Sequence, residues 1–169
     1  MYDYIKKYEF KNNPKEITYF DGEPLKLSNE FTFYHNKNWF RKELNRFQYL
    51  FKTYLKNPLL ASGIRDTYLK EEYAENYLIL LFTEGLTVKN TNHIIETNLD
   101  KEISQGCFYI ISNPKYLLLI AKEKNGLVSG LNVMEEILTQ TLEDYFNQQQ
   151  FDDFIKIRPF KLFNCTNPG

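Results

Sequence analysis

At 169 residues, with 43% hydrophobic and 25% charged side chains, the chain has the size and balance of one folded domain, which excludes disorder over most of its length. A formal charge of −1 withholds the broad positive field of a dedicated nucleic-acid binder or a basic membrane-surface protein. The start, MYDYIKKYEF, lacks a signal-peptide apolar core, and the longest apolar run, Tyr77 to Phe82, is far too short to cross a bilayer, so no membrane span is expected. Two cysteines, Cys107 and Cys165, make no disulfide framework and have no second Cys or His at metal-ligand spacing, which points to a cytoplasmic or other reducing intracellular compartment. Aromatic residues reach 17% and are spread along the chain, so rings are expected to dominate the core, although the bias toward Phe, Tyr, Ile, Asn and Lys also fits an AT-rich coding sequence.

In chain order, the first clear signal is ITYF-DG-EPLKL: Asp21-Gly22 can supply the positive φ angles of a tight turn, predicting a β-hairpin between Ile17–Phe20 and Glu23–Leu27. Pro24 cannot donate to a ladder and puts its strand at an edge. A short strand follows at Phe31–Tyr34. Between Asn38 and Lys56, Phe40, Leu44, Phe47, Phe51 and Leu55 recur every three or four residues, widened by Trp39, Leu50 and Tyr54, which predicts an amphipathic helix ended by Asn57-Pro58. The stretch from Asp66 to Phe82 fits a helix to about Asn76 and then a buried strand, Tyr77–Phe82. Extended segments follow at Leu86–Lys89, His93–Thr97, Gly106–Ser112 and Tyr116–Lys122, the last two forming a hairpin across Ser112-Asn113-Pro114-Lys115. After Asn125-Gly126 a second helix runs from about Leu131 to Gln148, with Val133, Ile137, Leu138, Leu142, Tyr145 and Phe146 on one side and Glu135, Glu136, Glu143 and Asp144 elsewhere. A final extended piece, Phe154–Leu162, precedes a frayed tail from Asn164, giving a single domain over residues 1–163.

This order makes an α+β domain: a mainly antiparallel sheet with two or three amphipathic helices packed on it. It resembles the order of elements in profilin-like and longin-like scaffolds, though no motif ties the chain to either, and a fold carries no function by itself.

Groups that could do chemistry are few. His35 lies beside the first helix and His93 in a proposed strand, and an enzyme built from His35, His93 or Cys107 needs the fold to bring two of them together with a carboxylate. Cys107, among apolar strand residues, reads as a small buried hydrophobe, and Cys165 as an exposed free thiol. The carboxylate pairs Glu71-Glu72, Glu135-Glu136, Glu143-Asp144 and Asp152-Asp153 read as solvated helix faces. The sequence holds no glycine-rich phosphate loop, nucleophile elbow or metal-spaced His and carboxylate set, and no cofactor is expected.

The most suggestive surface is the first helix. It carries Lys37, Arg41, Lys42, Arg46, Lys52 and Lys56 against one acid, Glu43, with Trp39, Phe40 and Tyr49 among them. The plain explanation is a core helix with a lysine-solvated outer side; the functional one is a surface for a phosphate backbone or an acidic partner. The second helix is acidic, and such charge separation suits recognition of another protein. Without a convergent catalytic set, the expected function is a non-catalytic protein-binding module: an inhibitor, an immunity-type factor or a subunit of a larger assembly. It would bind through Lys37, Trp39, Arg41, Lys42, Arg46 and Tyr49. The alternatives are nucleic-acid binding through the basic aromatic helix 37–56 and an enzyme of the kind just named. Replacing Trp39→Ala together with Arg41→Ala is expected to weaken partner binding in a pull-down without unfolding the domain, whereas a lost circular-dichroism signal would assign Trp39 to the core.

Overall fold

The computed structural model describes residues 7–27, 32–35, 77–82, 103–146 and 155–165. In chain order these form β1 (Glu16–Tyr19), β2 (Leu25–Leu27), β3 (Thr32–His35), β4 (Tyr77–Phe82), β5 (Cys107–Ser112), β6 (Tyr116–Ala121), α1 (Lys124–Phe146), β7 (Ile155–Ile157) and β8 (Phe160–Cys165). Six strands make one sheet in the order β1-β8-β5-β6-β4-β3, and β2 with β7 makes a separate ribbon. Pairing is antiparallel from β1 through β6 and in the ribbon, and parallel where β4 meets β6 and β3. The fold is α+β. The expected helices at 38–56 and about 66–76 and the expected strands at 86–89 and 93–97 lie outside the described residues.

The run YLLLIA of β6 has no polar face to give to water, and all six residues are buried. Such a strand needs cover on both faces. On one face, Leu127, Leu131, Met134, Ile137, Leu138 and Leu142 of α1 form a helical stripe that packs on Phe108, Ile110, Leu117, Leu119, Ala121, Phe160 and Leu162. On the other, Ile111, Tyr116, Leu118 and Ile120 cluster with Ile103, Cys107, Tyr109, Phe163 and Cys165. Each fully buried Leu, Ile or Phe contributes about 1.5–3 kcal/mol of transfer free energy.

The β5–β6 hairpin forms as expected: the Asn113 Oδ1 accepts from the amides of Lys115 (2.8 Å) and Tyr116 (3.1 Å) and holds the turn. The strand at Tyr77–Phe82 forms where the sequence puts it, and the one expected at Phe31–Tyr34 is Thr32–His35.

Three expectations are corrected. The segments on either side of Asp21-Gly22 do not pair with each other: Ile17 faces Leu162 across β1 and β8, and Leu25 faces Ile157 across β2 and β7. The C-terminal piece expected as one strand, Phe154–Leu162, is two, broken at Arg158-Pro159, and β8 runs on through Asn164 and Cys165. The two breaks coincide. Gly22 takes φ 135°, Pro159 has no N–H for a ladder, and the Phe20 amide donates to the Pro159 carbonyl at 3.0 Å. Two paired strands thus turn the same corner together, and long-range burial of Ile17, Leu25, Ile157 and Leu162 overrides the local hairpin signal.

The third correction concerns α1, which begins at Lys124 rather than Leu131. Asn125-Gly126 is not a break but the first turn of the helix, because Glu123 caps it: Oε1 accepts from the Gly126 amide (2.9 Å) and Oε2 from the Asn125 amide (3.0 Å). The same Oε1 accepts from the Gly106 amide at 2.7 Å, tying the entry of β5 to the start of the helix. Glycine is required at 126 by close approach: a Cβ there would stand 2.7 Å from the Cys107 carbonyl oxygen. Replacing Glu123→Ala removes the cap and orphans the Gly106 amide. It is expected to lower unfolding free energy by about 1–2 kcal/mol in urea denaturation, with faster hydrogen exchange at Gly106 and Gly126.

Candidate functional site

Residues 7–12 have no regular secondary structure, yet they are fixed against the outer side of α1. Tyr8 is the anchor. It is 8% exposed, with its ring edge-on to Phe160 at 5.7 Å and tilted to Tyr19 at 6.4 Å. Its amide donates to the Tyr19 hydroxyl at 3.0 Å, and its own hydroxyl lies 3.4 Å from that of Thr141, which donates to the Ile137 carbonyl at 2.8 Å. Next along, Gln140 pairs with the Glu9 backbone in both directions, accepting from its amide at 2.9 Å and donating to its carbonyl at 2.8 Å. The Lys11 amide then donates to Glu136 Oε1 at 3.1 Å.

Between this segment and the helix runs a groove of about 930 Å³. Among the described residues, five carboxylates line it, from Glu9, Glu135, Glu136, Glu143 and Asp144, against two lysines, Lys7 and Lys11; Val133 and Phe10 supply apolar wall and Asn164 of β8 reaches it. A concave surface with such an excess of carboxylates among its described residues favours cationic groups. From sequence, Glu135-Glu136 and Glu143-Asp144 read as a solvated helix face; the structure places them along a groove because the N-terminal segment supplies the second wall. Among the described residues, no three His, Cys, Asp or Glu side chains are grouped to hold a metal ion.

Burial pushes the Tyr8 hydroxyl up to about 12, hydrogen bonds from Thr141 and the Arg158 backbone pulling back only in part. Burial also raises Tyr19, opposed by the hydrogen bond with the Tyr8 backbone and by the charge of Arg158. Two cations stand near the Tyr19 ring centroid, Lys7 at 5.5 Å and Arg158 at 5.4 Å.

The basic set Lys37, Trp39, Arg41, Lys42, Arg46 and Tyr49 lies outside the described residues, as does His93. His35 ends β3 and Cys107 opens β5, with β4 and β6 between them. At strand spacing this separates the two backbones by about 14 Å, so the sheet does not bring them together. Nor are the cysteines free thiols. Cys107 and Cys165 form a disulfide with S–S 2.05 Å and Cα–Cα 3.9 Å, and they face each other directly across β5 and β8. Their separation of 58 residues hid the pairing, which only the sheet register creates. In the disulfide, Cys107 has no thiolate to act as a nucleophile.

No protein-family model matches the sequence, and no curated protein matches it. Solved structures do. The fold is similar to part of several glycoside hydrolases. Against a GH20 exo-β-N-acetylglucosaminidase from Vibrio harveyi the TM-score is 0.56 at 7% identity, covering 90% of this chain and 18% of that one. Against CpGH84D it is 0.58 at 12% identity, covering 94% and 24%. Against a chitobiase from Flavobacterium johnsoniae it is 0.51 at 14% identity, covering 90% and 20%. The chain therefore spans about a fifth of the length of these hydrolases, and identities this low make the likeness one of fold.

The buried tyrosine gives the N-terminal anchor a pH signature. Below pH 10 the Tyr8 hydroxyl is neutral folded and unfolded; above it the unfolded chain ionises first, and the stabilisation is lost as pH rises through about 12. Urea unfolding from pH 9 to about 12 is expected to show a loss on the order of 2–3 kcal/mol from this residue, and Tyr8→Phe to flatten the slope.

Proposed function

We propose that the chain is a non-catalytic module that binds another protein, as part of a larger assembly rather than as a free-standing enzyme. The observation that carries this reading is the groove between residues 7–12 and α1, where the described residues set five carboxylates against two lysines. Its partner would present Lys or Arg on a projecting segment. The acidic groove takes over the role that the sequence assigned to the basic helix, whose residues 37–56 lie outside the described residues.

The structural likeness supports the assembly version over the inhibitor or immunity-type versions, since in the similar proteins a comparable fold accounts for about a fifth of a much longer chain. Two of the similar proteins bear the names of an exo-β-N-acetylglucosaminidase and a chitobiase. The form of the proposal they favour is a module carried beside a glycoside hydrolase. A thiol enzyme built on Cys107 is disfavoured by its disulfide and by its distance from His35. As for compartment, no helix among the described residues is long and apolar enough to cross a membrane. The disulfide fits an oxidising compartment, or one whose redox poise changes, better than the reducing one inferred from two unpaired cysteines.

The test is affinity purification with the chain as bait, followed by binding kinetics on the recovered protein. A stoichiometric partner is expected, and Glu135→Lys with Glu143→Lys should weaken it on the order of tenfold, chiefly in association rate, with the circular-dichroism spectrum unchanged. Hydrolysis of a β-N-acetylglucosaminide by the isolated chain, or a partner indifferent to both charge reversals, would overturn the reading.

A further inference from the structure

The two halves of the Cys107–Cys165 disulfide are held very differently. Cys107 is 6% exposed and locked from several sides: its amide donates to the Ser104 carbonyl, the neighbouring Gly106 amide donates to Glu123, and the first turn of α1 lies against its carbonyl oxygen. Cys165 is half-buried and stands at the end of an overhang. The ladder between β1 and β8 reaches only from Tyr19–Phe160 to Glu16–Phe163, so among the described residues Asn164 and Cys165 pair on one side alone, with Phe108 and Cys107 of β5. Inboard of the overhang the strand is secured without the disulfide: Phe160 and Leu162 are fully buried, and the ring of Phe163 lies tilted against Tyr109 at 4.9 Å. A covalent bond thus joins a buried residue to a strand end that, among the described residues, is laddered on one side only and rests by its last side chain on the cluster beneath β5 and β6.

We propose that this disulfide is a redox latch on the end of β8, opened in the folded protein by a dithiol reductant, freeing Asn164 and Cys165 while the rest of the sheet stays closed. A thiolate of the reductant attacks the Cys165 sulfur, forming a mixed disulfide, and the S–S bond breaks with its electron pair leaving on Cys107, which takes up a proton. The second thiol of the reductant attacks its own sulfur in the mixed disulfide and expels the Cys165 thiolate, which is protonated in turn. Two electrons and two protons pass from the dithiol to the protein, and the reductant ends as a disulfide. Asn164 contributes to the wall of the acidic groove, so opening the latch alters that wall; the latch itself stands whether or not the groove binds a partner.

The experiment compares oxidised protein, protein treated with dithiothreitol without denaturant, and the Cys165→Ser variant, by thiol titration and by amide hydrogen exchange in NMR. Two thiols per chain are expected to appear on reduction at a rate that does not follow global unfolding. Exchange at Asn164 and Cys165 should accelerate by about tenfold or more, while Leu119 and Met134 keep their protection. Cys165→Ser should reproduce the reduced pattern at Asn164. Thiols titratable before any reductant is added, release of thiols only at the rate of global unfolding, protection lost throughout the sheet, or no change at Asn164 would each overturn the proposal.

Discussion

The structure is organised around two strands that have almost nothing polar to offer on either side. Along β5 and β6, CFYIIS and YLLLIA, only Tyr109 is less than fully buried. Strands of that kind must be interior, with a neighbour at each edge and a cover on each face. The rest of the described architecture meets those needs: β8 and β4 take the two edges, and α1 lays its stripe of Leu, Ile and Met on one face. The position of β8 then dictates where β1 can pair, and the bend at Pro159 carries the same chain onward to β2. Apolar side chains at roughly 1.5–3 kcal/mol each supply the driving force, and the conformational entropy of the ordered backbone opposes most of it.

The polar contacts do a different job, which is to fix geometry at junctions. Glu123 satisfies three amides that no helix or strand provides for, and in doing so sets the angle at which α1 leaves the sheet. Gln140 does for residue 9 what a neighbouring strand would do, offering one donor and one acceptor to the same residue's backbone. An irregular segment is thereby held in one conformation, and a groove can exist between it and the helix. The candidate site is therefore a product of side-chain amide and carboxylate chemistry on α1, with Tyr8 of its second wall seated in the core.

How much of this was legible in the sequence follows from how local each cause is. The β5–β6 hairpin was legible because Asn113 and Pro114 act within their own turn, and β4 because its apolar run is continuous. The stripe of α1 was legible from Val133 to Leu142, but its start was not: Asn125-Gly126 carries the usual signature of a turn, and glutamate is not among the favoured capping residues. The pairing of β1 and β2 was misread for the converse reason, since Asp21-Gly22 is a true local bend whose strands find partners at the other end of the chain. The disulfide and the groove share that origin. Cys107 meets Cys165, and Tyr8 meets Phe160 and Thr141, through register and packing that no spacing rule anticipates. The acids of α1 were visible as a face, while the wall that makes them a groove was not.

The place of β8 also governs how the molecule is made. It is the last of the described strands in sequence, and it fills the gap between β1, the first of them, and β5. Until β8 has been made, β5, β6 and α1 can assemble from near neighbours, but among the described strands β5 keeps an open edge and β1 lacks its partner. A chain that stops short of Phe160 leaves, among the described strands, β1 without its partner and one edge of β5 open, and open strand edges are where chains associate with one another. The completed sheet closes only when its two ends, far apart in synthesis, meet.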